Sequence, residues 1–123
     1  MAAPKLPELL FVYNADAGVV NGLLDMVHKL ISPATYSCSL CALTYGAATM
    51  RPEWRAFLKQ LPARATFLHR DELRRQHPEL AAQPLPVVMR RQGGLAWQPF
   101  LTATELASAS ELQQLIQLIQ SRL

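Results

Sequence analysis

No apolar run in this chain approaches the roughly 20 residues that cross a bilayer, so no membrane partner is expected. The opening residues, MAAPKLPELLFVYNADAG, lack a charged leader followed by a long apolar stretch and a small-residue cleavage site, so the expected location is the cytoplasm. The phosphate-cradling pattern GxxxxGK[ST] is missing, which removes a P-loop nucleotide site. Cys/His finger spacing, an RNA-binding signature and a continuous Lys/Arg run are missing too. The formal charge of +3 is carried in short arginine clusters: Arg51 with Arg55, Arg70, Arg74 with Arg75, and Arg90 with Arg91. Without the other marks of nucleic-acid binding, these read as solvated faces. There is no repeat, linker or low-complexity stretch. Half of the 123 residues are apolar and 17% are charged, which suits a single folded domain spanning 1–123. Cysteine is scarce, with only two residues. In a cytoplasmic chain such a pair is expected to be reduced, catalytic or metal-binding rather than a staple.

What is present alternates. Glu8 to Tyr13, ELLFVY, is a short apolar run closed by Asn14, Asp16 and Gly18, the pattern of a buried strand ending in a turn. Val20, Leu23, Leu24, Val27, Leu30 and Ile31 then follow helical spacing, and Ser32-Pro33 ends that helix. TYSCSLCALTYG, residues 35–46, reads as the second strand, followed by a small-residue loop, Gly46-Ala47-Ala48-Thr49. Pro52 opens a second helix carrying Trp54, Phe57, Leu58 and Leu61, which Pro62 closes. ATFLH, residues 65–69, is a third strand, and Asp71 is placed to cap a short helix over 72–77. Val87-Val88-Met89 and the stretch from Leu95 to Phe100, joined at Gly93-Gly94, form a hairpin. Ser108-x-x-Glu111 reads as a capping box for a last helix with Leu112, Leu115, Ile116, Ile119 and Leu123 on one face. The expected fold is α/β in the order β-α-β-α-β-α-β-β-α, with a central mixed sheet and helices on both faces.

That order, with a proline entering the penultimate strand and Gly-Gly in the final hairpin, resembles the thioredoxin fold. The segments Phe67-Leu68-His69-Arg70-Asp71 and Leu85-Pro86-Val87-Val88-Met89-Arg90-Arg91-Gln92-Gly93-Gly94 carry the likeness. The string FVYNADAG…HKLISPATYSCSLCALTYG…LHRDE also resembles a small family of uncharacterised bacterial proteins, to which no activity attaches. The thioredoxin resemblance implies a cis peptide bond before Pro86, exposing the Leu85 backbone beside the active-site loop to pair with an extended substrate. It also implies a dithiol at the N-terminus of the helix after a strand. By this alignment that position is Thr49-Met50-Arg51-Pro52, which holds no cysteine, so the chain departs from the pattern and its dithiol is displaced.

The displaced pair is Cys38-x-x-Cys41. In a regular strand, residues three apart point to opposite faces with Cα atoms about 10 Å apart, beyond the roughly 7 Å that a disulfide allows. Three readings follow: two cysteines packed as small apolar residues in a strand, a redox dithiol held in a turn, or two thiolates of a soft-metal knuckle for zinc or copper. For the metal, His28 is the nearest further ligand in sequence, and a site would need it plus another group, or a second subunit. Taken alone, His28 reads rather as a helix-surface residue or a partner of the helix C-terminus. His69 and Asp71 offer a His–Asp pair, but no nucleophile is placed to complete a triad.

The leading expectation is thiol chemistry at Cys38 and Cys41, of the thiol–disulfide oxidoreductase kind or soft-metal binding. The alternative is a redox-inactive thioredoxin-like module that holds a protein or peptide partner in a groove formed by Thr49, Arg51, Leu85 and Pro86. An extended backbone at 37–41 favours the module, and a turn there favours the thiol site.

Overall fold

The computed structural model describes residues 6–18, 22–24, 26–28, 38–46 and 49–123. Strand β1, Glu8–Val12, is the hub of a four-stranded sheet. It pairs in parallel with β2, Arg64–Leu68, from Glu8↔Arg64 to Val12↔Leu68. On its other side it pairs antiparallel with β3, Val87–Arg91, from Glu8↔Arg91 to Val12↔Val87. Strand β4, Gln98–Leu101, pairs antiparallel with β3 across a register shift at Val88/Met89, giving the order β2-β1-β3-β4. The turn between β3 and β4 places Gly93 and Gly94 at φ of 61° and 91°, where a side chain is disfavoured.

Among the described residues, five α-helices with both ends described carry most of the rest: α1 Ser39–Thr44, α2 Pro52–Gln60, α3 Arg70–Gln76, α4 Ala103–Ser108 and α5 Leu112–Arg122. Residues 22–24 and 26–28 are helical as well, and here Leu23, Leu24 and Val27 are exposed rather than packed. The Pro33 stop, the remainder of that helix and the loop at Ala47-Ala48 lie outside the described residues.

The period of two in β1 divides the core between the two sheet faces. Leu9, Phe11 and Tyr13 face one cluster with Cys38, Leu40 and Leu43 of the first helix region, Trp54 of α2, Leu106 of α4 and Leu115, Ile116 and Ile119 of α5. Leu10 and Val12 face the other with Val87, Met89, Leu68, Leu73 of α3 and Leu80. The sheet is therefore mixed and covered by helices on both faces, as the alternating pattern predicts. One expected strand is corrected: residues 39–44 are helical, so the sheet has four strands among the described residues where the reading gives five.

Two helix starts differ from expectation for a local reason. Residue 69, not Asp71, caps α3: the Glu72 carboxylate accepts the His69 backbone N–H and pairs with His69 Nδ1, both at 2.8 Å. The box expected at Ser108–Glu111 is two boxes instead. Thr102 Oγ1 accepts the Glu105 N–H at 3.2 Å to start α4, and Gln114 Oε1 accepts the N–H groups of Ser110 and Glu111 at α5. Ser108 ends α4, its hydroxyl donating to the Glu105 carbonyl at 2.7 Å.

Arg122 at the end of α5 donates to the Phe100 carbonyl at 2.9 Å and pairs with Glu105, tying both C-terminal helices to β4. That guanidinium, aided by the Thr102 N–H, holds the Glu105 carboxyl down from 4.5 to about 2. A carboxyl depressed in the folded state stabilises the fold above its unfolded value, and that contribution is lost as pH falls from about 4.5 towards 2. Glu105→Gln should therefore lower the thermal midpoint at neutral pH and match the parent near pH 2. A constant difference across thermal scans from pH 7 to 2 would show that the pair contributes through shape alone.

Candidate functional site

The site begins with the way α1 starts. Cys38 is the N-cap residue, with an extended backbone, and its Sγ accepts the Cys41 backbone N–H at 3.2 Å. The helix closes on itself at once, since the Ala42 N–H reaches the Cys38 carbonyl and the Tyr45 N–H the Cys41 carbonyl, each at 3.0 Å. Leu40 and Leu43, three apart, bury one side of this turn in the core, and the Thr44 hydroxyl donates to the Leu40 carbonyl at 2.7 Å. A strand would place these two leucines on opposite faces, so helix is the form that buries both together.

Helical geometry reverses the strand argument about the cysteines. Their Cα atoms are 5.3 Å apart and their sulfurs are bonded to each other. Neither cysteine is free. Cys38 is 0% exposed, while Cys41 is only partly buried.

A second N–H reaches Cys38 Sγ from far along the chain, that of Asn14 at 3.4 Å. Asn14 lies just past β1, in a loop clamped to the start of α3. Arg70 makes a two-pronged contact to Asp16 at 3.0 Å on each oxygen and reaches Asn14 Oδ1 at 3.4 Å. The Arg70 N–H donates to the Ala15 carbonyl and the Asp71 carboxylate accepts the Ala17 N–H, both at 2.9 Å. Arg70 holds the Asp16 carboxyl below its ordinary value, and the Ala17 N–H does the same for Asp71. Both carboxylates thus stay charged at neutral pH, and the clamp weakens as acid protonates them. Asp71→Ala should leave the far-UV circular dichroism native but speed amide hydrogen exchange at Ala17 and Asn14. Unchanged exchange at both amides would show that the loop is held without that carboxylate.

Aromatic rings wall the same end of β1. Tyr13 meets Tyr45 edge-on at 6.1 Å and stands 5.4 Å from the His69 ring. Burial, then Tyr45, push the Tyr13 phenol well above its ordinary value, so it remains neutral.

The other sequence-derived residues divide. Thr49 and Arg51 are brought to the C-terminal end of α1: the Arg51 N–H donates to the Thr44 carbonyl and the Gly46 N–H to the Thr49 carbonyl, both at 2.8 Å. Arg51 lines a groove of about 450 Å³ with Ala42, Leu43, Glu53 and Glu111. Leu85 instead packs on the cluster under the opposite sheet face, and Pro86, after a cis peptide bond, is buried at the entrance to β3. His28 is exposed on the helical stretch 26–28. Among the described residues no three His, Cys, Asp or Glu side chains gather as a metal site, so His28 does not join the two cysteines in one. The expected His69–Asp71 pair is replaced by His69–Glu72, because Asp71 is engaged by Ala17. Sequence reasoning missed the Asn14 amide and the Arg70–Asp16 clamp, which join residues 24 and 54 positions apart.

No family model matches this chain, and no curated protein or solved structure matches it either.

Proposed function

We propose that this chain is a thioredoxin-like thiol–disulfide redox protein whose working groups are Cys38 and Cys41. The observation that carries the reading is the bonded pair in the first turn of α1, with two backbone N–H groups directed at Cys38 Sγ. Cycling takes two electrons: a dithiol donor gives up two electrons and two protons, and the protein disulfide becomes two thiols. The N–H groups stabilise negative charge on Cys38 whenever the S–S bond is open.

The bond is a poor structural staple. It joins residues three apart, and closing so small a loop constrains the unfolded chain by only about 2 kcal/mol, against nearly 5 for a loop of 100 residues. The sheet order β2-β1-β3-β4, with the pair between β1 and β2 and a cis proline before β3, agrees with the thioredoxin-like part of the reading. Soft-metal binding by the same sulfurs is the weaker form, since no third ligand stands with them among the described residues.

The test is to reduce the native protein with dithiothreitol, remove the reductant, and challenge a small disulfide such as glutathione disulfide. Two thiols should appear on reduction, and reduced glutathione should form as they disappear. A native protein that releases no thiol to the reductant, or whose thiols stay inert to glutathione disulfide, refutes the proposal. In that case a redox-inactive partner-binding module becomes the better reading, with its groove at Arg51, Glu53 and Glu111 and without Leu85 and Pro86.

A further inference from the structure

The two sulfurs of the pair are not equivalent, and we infer that exchange runs through Cys41, with Cys38 as the departing and resolving sulfur. This rests on the redox reading above. Thiol–disulfide exchange is a displacement at sulfur, in which the incoming thiolate must reach one sulfur while the other accepts the electron pair. Access and charge stabilisation therefore select different atoms, and here they select in the same sense. Cys38 exposes no surface, and its Sγ already faces the Asn14 and Cys41 N–H groups. Cys41 keeps part of its surface open.

The steps balance. A thiolate of a reducing dithiol attacks Cys41 Sγ, a mixed disulfide forms there, and the Cys38–Cys41 bond breaks with its electron pair left on Cys38 Sγ. The second thiol of the donor, as thiolate, then attacks its own sulfur in the mixed disulfide. The donor leaves as a cyclic or intramolecular disulfide, and Cys41 departs as thiolate. In the opposite direction Cys41 attacks a substrate disulfide and expels one substrate thiolate. Cys38 then attacks Cys41 Sγ and releases the second.

The geometry supports Cys38 in the departing role through Asn14, which the Arg70–Asp16 and Asp71–Ala17 contacts hold against the sulfur. Asn14 acts through its main chain, so it is a positioning residue whose side chain need not be conserved in type for the N–H to serve. The order is also imposed by packing. Cys38 is embedded in the cluster with Leu9, Phe11 and Tyr13, and a bulky substrate cannot reach its sulfur without opening that core.

The experiment is limited alkylation of the freshly reduced wild-type protein with substoichiometric iodoacetamide, the modified cysteine being identified by fragmenting the peptide that holds both. Cys41 should be modified in preference to Cys38 by about tenfold or more. Equal labelling, or preference for Cys38, overturns the assignment while leaving the redox reading standing. Release of no thiol on reduction overturns both. As a second measurement, Cys38→Ser should form a stable mixed disulfide with glutathione at Cys41, and Cys41→Ser should form one at Cys38 far more slowly. Comparable rates in two variants with native circular dichroism also overturn the assignment. If Cys38→Ser fails to fold, the wild-type labelling decides alone.

Discussion

Phe11→Ala is expected to destabilise the protein by about 3–5 kcal/mol, the usual cost of emptying a buried aromatic site. Phe11 is the fourth of the five residues of β1, set between both neighbouring strands through its pairing with Phe67 and Val88. Its ring is fully buried, stacks on Phe67 at 4.9 Å and meets Trp54 edge-on at 5.6 Å. Trp54 in turn stacks on Phe57 of α2 at 5.5 Å. Removing the ring therefore loosens β1, β2 and α2 together, in a domain whose whole stability is of order 5–15 kcal/mol. Phe11→Leu, which keeps much of the volume, should cost distinctly less. Urea unfolding followed by tryptophan fluorescence measures both. Equal losses in the two variants would mean that the aromatic contacts, and not the filled volume, set the cost.

The second large effect falls on chemistry. Cys41→Ser should abolish reductant-dependent cycling of the pair, because the internal disulfide can no longer form and the partly exposed cysteine is gone. Its effect on stability should stay at about 2 kcal/mol or below, the small entropic value of so short a loop. Cys38, left as a buried free thiol, packs as a small apolar side chain. The contrast with Phe11→Ala separates a working disulfide from a staple. Cys41→Ser should lose exchange and keep its fold, whereas Phe11→Ala should lose stability while leaving both sulfurs in place, although Phe11 shares a core cluster with Cys38. Thiol titration and urea unfolding on the same Cys41→Ser preparation check it. A loss as large as that of Phe11→Ala would assign the pair a structural role.

How much of this was legible in the sequence depended on whether the signal was local. ELLFV declared a strand by its unbroken apolar run, and Pro52 with Trp54 and Phe57 declared α2 by proline placement and spacing. TYSCSLCALTYG misled because the aromatic, threonine and cysteine residues favour strands, while its helix start is capped by a sulfur rather than a hydroxyl or carboxylate. The informative spacing was there: Leu40 and Leu43 are three apart, a helical interval. The Thr102-x-x-Glu105 box was equally visible, but the Ser108 to Glu111 spacing competed with it. The Asn14 amide on Cys38 had no sequence signature, since any residue presents an N–H and the contact depends on the β1–α3 corner.

That correction changes what Cys38-x-x-Cys41 can do. As a strand the pair could not close; as the first turn of α1 it is closed, with its inner sulfur held by two amides. The Thr49–Pro52 segment, where the thioredoxin resemblance looked for the dithiol, does run into a helix start, with Arg51 as the N-cap of α2 and Pro52 its first residue. The element before it, however, is the helix α1 and not a strand.

The most direct measurement is an equilibrium redox titration of the native protein in dithiothreitol buffers, with the free thiols counted by alkylation and mass spectrometry at each ratio. A reversible dithiol predicts one transition in which both thiols appear together, with the two-electron slope of about 30 mV per decade. Thiol counts that do not change across the buffers while the fold remains native would contradict it.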